Sequence, residues 1–312
     1  MQLKAQREAF GEALVELAKK NARVVTLTAD LAESTRINHF KKEFPDRFFD
    51  MGVSEQAMIG VAAGLSFIDF IPFVSSFGVF VPGRAFDHIR VSVAQNKANV
   101  KLIGSHVGFS NFGDGVTAQA IEDIALMRSL PNMTIISPAD SNEVKKVVFS
   151  MADFEGPVYM RMVRNSTPIF INEVTPFEIE KAQILKEGQD VTIIGTGPVL
   201  YNALQASDSS GISCEVINCS TIKPLDEQTI IASVKKTGCL VTVEEHNVHG
   251  GLGDAVAQVL VQNYPAPQEY VGIKDKFGQS ARSWEQLAQE YGLDENSIKQ
   301  AINRAIKRKK HG

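Results

Sequence analysis

The chain has 312 residues, 44% hydrophobic and 22% charged, with a formal net charge of −4. This is the balance of an ordinary globular protein of about two domains, and nothing in it favours a nucleic-acid or membrane surface. No apolar run reaches the roughly 18 residues of a membrane span, and the charged, helical start from Met1 to Glu8 is unlike a signal peptide. Cys214, Cys219 and Cys239 fall in one half without metal-ligand spacing. They are expected as buried thiols in a reducing compartment, so the expected location is the cytoplasm.

Taken in order, residues 5–20 read as an amphipathic helix and 22–28 as a buried strand ending at Asp30. A small-residue helix follows from Glu55, then a strand over 70–74 that leads through Phe77 and Phe80 into a helix running to about Gln95. A strand over 100–104, a glycine-rich loop from His106 to Ala118, a helix over 121–130, a strand over 133–136, a helix from Ser141 and a strand over 158–161 complete the first half. Strands alternating with helices predict an α/β fold with a mostly parallel sheet covered on both faces. Residues 169–188 lose this periodicity and read as a linker between a first domain over 1–168 and a second over 189–312. The second domain repeats the strand–helix pattern. In open α/β sheets ligands bind beyond the carboxyl ends of the strands, which directs attention to Asp30 to Ser34, Phe77 to Phe80, the loop from His106, and Arg164.

The stretch from Asp50 to Leu65 organises the rest. Ser54 is a suitable N-cap, so Glu55 sits in the first turn of a helix. Gly60, Ala62, Ala63 and Gly64 follow it, and a helix this poor in bulk is costly unless another backbone packs close to it. Gly113-Asp114-Gly115, with Asn142 downstream, superficially fits the metal–diphosphate signature of thiamine-diphosphate enzymes. Loop sequence precedes it where that signature needs a strand, so the match is read as accidental.

Other stretches do resemble such an enzyme. Glu55 followed by Gly60-Val61 and Gly64-Leu65 is similar to the pyrimidine-binding domain of the transketolase family. Arg84 to Arg90, Gly113 to Thr117 and Ile121 to Asn132 agree with it. Val243 to Asn247, Gly250 to Gly253 and Asp275 to Ser280 resemble the family's C-terminal domain. The resemblance covers essentially the whole chain and implies the C-terminal subunit of a split transketolase. It implies thiamine diphosphate as cofactor, with Mg2+ or Ca2+ ligated by an N-terminal partner subunit. It also implies a heterotetramer in which this chain pairs with itself, and sugar phosphate substrates of carbohydrate metabolism.

The resemblance assigns roles residue by residue. Glu55 would hydrogen-bond the aminopyrimidine and control its tautomer, a role that calls for a carboxyl group in an apolar pocket. Phe77 and Phe80 would stack around that ring and Asp30 would lie near the cofactor. Arg7, Ser34, His106 and Arg164 would recognise the sugar phosphate, with His106 also catalytic, and Asp114 would contact a donor hydroxyl. Ala118 stands where many family members carry His, and Gly113 where Glu is common. The implied activity is transfer of a two-carbon ketol unit from a ketose to an aldose. The rival readings are the beta chain of a 2-oxo-acid dehydrogenase, a deoxyxylulose phosphate synthase fragment and a non-catalytic scaffold subunit of the same fold.

Overall fold

The computed structural model describes residues 2–311. Two mostly parallel sheets carry the chain. The first has seven strands in the order Thr221–Lys223, Thr134–Ile136, Val158–Met162, Lys101–Ser105, Ile71–Phe77, Val24–Thr28 and Phe48–Asp50. All neighbours in it are parallel except the Thr221–Lys223 edge, which the second half of the chain lends to the first sheet. The second sheet has five strands in the order Gln268–Ile273, Leu240–Asn247, Val191–Gly195, Cys214–Asn218 and Gln183–Lys186.

The central strands are apolar because both faces are covered. Val25, Leu27, Val74 and Leu102 point to one face, where the helix Glu55–Ser66 packs through Met58, Ile59, Ala62 and Ala63. Val24, Phe73, Ile103 and Met160 point to the other, against the helices Gln6–Lys20 and Ser141–Asp153. Neighbouring residues alternate between the faces, as the pleat requires. The first core continues through Ile194, Ile217 and Ile222 into the second half.

Three details differ from the sequence reading. The stretch expected as a linker contains the strand Gln183–Lys186, which pairs antiparallel with Cys214–Asn218. The helix expected to run to Gln95 is broken into Val81–Arg84, Phe86–His88 and a π-helical turn over Ile89–Ala94. Ser54 does occupy the N-cap position, but its ψ of 71° falls short of the extended range and its hydroxyl caps nothing. The three cysteines are buried and free, and burial pushes Cys219 up to about 12 and Cys239 up to about 11.

A buried ion pair in the first half reaches across to the second. Arg161 donates to both carboxylate oxygens of Asp123 at 2.9 and 3.0 Å, Tyr159 donates to the same group, and a further Arg161 N–H reaches the Glu245 carbonyl. Glu245 in turn accepts from Phe109 N and from the Trp284 indole. No helix of the described residues is long and apolar enough to cross a membrane.

Candidate active site

After the strand Val24–Thr28 the chain goes first to Phe48–Asp50 on one side and then to Ile71–Phe77 on the other. That reversal leaves a crevice at the strands' carboxyl ends, where ligands of such sheets bind. Asp30 leaves the first of these strands, Phe77 ends the second, His106 directly follows Lys101–Ser105 and Arg164 follows Val158–Met162. Asp30 is exposed with φ 57°, and its N–H donates to the Asp50 carboxylate, which also accepts from Gly52.

Glu55 starts its helix and is only 4% exposed. Its carboxylate is not enclosed by apolar groups alone. The Arg84 guanidinium reaches it, with Nη1 at 3.3 and 3.5 Å from the two oxygens. Arg84 lies over the Phe80 ring, 4.2 Å from its centroid. The Phe80 and Phe77 rings are nearly parallel, 5.8 Å apart and 17° between planes, and the His106 ring lies 4.1 Å from Phe77. Glu55, Arg84, Phe80, Phe77 and His106 thus form one unbroken row.

His106 is buried, has φ 62°, and shares a 2.7 Å hydrogen bond between Nδ1 and the Ser105 hydroxyl. Burial pushes it down to about 3, and the Arg7, Arg164 and Arg36 cations push in the same direction. Its imidazole is therefore neutral at physiological pH and offers one N–H donor.

Beyond it lies a cavity of about 670 Å³ lined by Lys4, Arg7, Ser110, Phe112, Gly113 and Arg164. Burial, then the Arg36 and Arg164 charges, lower the Arg7 pKa, and its Nε is buried without a partner. Arg164 lies 3.9 Å from Asp114, so the expected recognition residues are together. Ser34 contributes through its backbone, whose carbonyl accepts from Arg7 at 2.9 Å.

Two residues received no role in the sequence reading, although Arg84 was quoted there within the resemblance. Arg36, in a left-handed turn and paired with Glu8 at 2.5 Å, adds a third cation to the field around His106. Arg84 carries a signal in its spacing, because Phe80 and a cation four residues later share a helix face. Gly113-Asp114-Gly115 lies between two short 3₁₀ turns with no strand leading into it. Among the described residues no group of three or more His, Cys, Asp or Glu side chains is placed to hold a metal ion.

The pyrimidine-binding domain of transketolase matches residues 3–169, and the transketolase C-terminal domain matches 180–298. The chain belongs to the transketolase family. It is similar over 98% of its length to the "Putative transketolase C-terminal section" of Methanocaldococcus jannaschii, 45% identical over 97% of that protein. It is 38% identical to the 6-deoxy-6-sulfo-D-fructose transketolase subunit of a Clostridium species, covering 97% of this chain and 95% of that one. A solved split-gene transketolase, described as an inactive beta4 tetramer, superposes with a TM-score of 0.88 at 44% identity, covering 97% of this chain and 98% of that one. This transketolase-family chain is therefore matched in both halves and along nearly its whole length.

Proposed function

We propose that this chain is the pyrimidine-binding subunit of a thiamine-diphosphate-dependent transketolase that moves a two-carbon ketol group from a ketose phosphate to an aldose phosphate. The observation that carries the reading is the unbroken row from buried Glu55 through the stacked Phe80 and Phe77 rings to His106 and the arginine-lined cavity. The residues fit the aminopyrimidine end of the cofactor. A flat group bearing N–H donors, the Arg84 guanidinium, is already accepted between Glu55 and Phe80. When bound, the cofactor supplies the nucleophilic carbon that breaks and remakes the C–C bond.

The protein's share is positional. Glu55 would hold the aminopyrimidine by a hydrogen bond and so bias its tautomer. Phe77 and Phe80 hold the ring plane, while the neutral His106 donates to a substrate oxygen. Arg7 and Arg164, with Lys4, bind the head group of the sugar, and Asp114 accepts from a donor hydroxyl. Asp30 lies at the edge of the cofactor crevice. The diphosphate and its Mg2+ or Ca2+ are assigned to a partner subunit. The helix Glu55–Ser66 supports a subunit contact, because Gly60 and Gly64 face open space and Val61, Phe67 and Ile68 beside them are exposed. The beta tetramer of the similar solved protein supports self-pairing within a larger heterotetramer.

The test is Glu55→Ala in the reconstituted complex, assayed for ketose-to-aldose transfer and for pyruvate decarboxylation. The expected result is transfer by the wild-type complex and a loss of about 100-fold or more in the variant. Unchanged turnover would favour a scaffold role. Decarboxylation in place of transfer would favour a 2-oxo-acid dehydrogenase chain.

A further inference from the structure

We propose that Arg84 is a built-in occupant of the aminopyrimidine place, holding Glu55 and the Phe80 face until the cofactor displaces it. The inference rests on the cofactor reading above. A guanidinium is planar, delocalised and edged with N–H donors, and it stacks on aromatic faces while pairing with carboxylates. An aminopyrimidine is also planar and carries an N–H edge. In this chain the guanidinium makes contacts of both kinds that such a ring needs, lying over Phe80 with its central carbon 4.2 Å from the ring centroid and donating toward Glu55 at 3.3 Å. The two occupants cannot share one slot.

The arrangement is built to reverse. Glu55 is 4% exposed but the Arg84 side chain is 53% exposed, so the cation enters from solvent and can swing back to it. The Arg84 carbonyl accepts from the Gln56 side chain at 3.2 Å. Release needs only a rotation of the exposed side chain. While the pair stands, the otherwise buried carboxylate is compensated, which avoids the cost of a lone buried charge. Arg84 thus keeps the free subunit stable and makes cofactor binding compete with an internal contact.

The test is calorimetric titration of thiamine diphosphate, in the presence of Mg2+, into the reconstituted complex carrying wild-type chain, Arg84→Met or Arg84→Lys. Thermal unfolding of each free chain confirms that it folds, and Arg84→Gln substitutes for Arg84→Met if that variant does not. The expected result is a Kd lowered about tenfold by Arg84→Met, with Arg84→Lys between the two because an ammonium can pair with Glu55 but cannot mimic a flat ring. An unchanged or weaker affinity in Arg84→Met overturns the proposal while leaving the cofactor reading intact. Absence of binding by every complex, wild type included, overturns both.

Discussion

At His106 the surroundings decide the charge. Burial alone disfavours an imidazolium, and three arginines add to it, so the side chain stays neutral down to about 3. Its folded pKa lies below the unfolded value of about 6.5. The stability tied to it is therefore fully present above about 6.5 and is lost as pH falls toward 3. In an NMR titration the His106 ring signals are expected to stay flat from about pH 5 to about 8. Arg164→Met should move the midpoint upward by removing one repelling charge, and a wild-type midpoint near about 6.5 would contradict the assignment. Glu55, Phe77, Phe80, Arg7 and Arg164 drew attention through the family resemblance, and the structure sets them at strand ends or helix starts. Arg84 was given no role. Its role depends on a four-residue helix inside a broken run, and only the fold brings its head back onto Glu55. At Ser34 it is the backbone carbonyl, and not the hydroxyl, that meets Arg7.

The helix Glu55–Ser66 has two unlike sides. Met58, Ile59, Ala62 and Ala63 are buried against the first sheet, while Gly60 and Gly64 would accept a Cβ without meeting anything. Within the free chain these glycines only weaken the helix. Gly60→Ala and Gly64→Ala are each expected to raise the unfolding free energy of the isolated chain by roughly 0.5–1 kcal/mol, measured by denaturant titration. Gly64→Trp should leave the chain folded but unable to assemble, as read by sedimentation. Normal assembly of that variant would show that the face lies free. The sequence reading expected close packing on these small residues, and within the chain nothing packs on Gly60 or Gly64. Two short edge strands were harder to see. Thr221–Lys223 and Gln183–Lys186 are three and four residues long and pair with distant partners, so local periodicity carries no trace of them.

At the scale of the molecule, the two halves share a core and are joined by the buried hydrogen bonds of Arg161 and Phe109 to Glu245, and the candidate site opens at the carboxyl ends of the first sheet. The alternation of strands and helices made this architecture legible early, because parallel strands covered on both faces must be nearly continuous apolar runs. What the alternation cannot show is which groups come from another chain. On the proposed reading, the pyrimidine end of the cofactor and the sugar head group fall to this subunit, and the diphosphate end to a partner. The most direct measurement is ketol transfer by the purified chain alone, by the diphosphate-binding partner alone, and by the two mixed. The account predicts transfer only in the mixture. Transfer by this chain alone would contradict it.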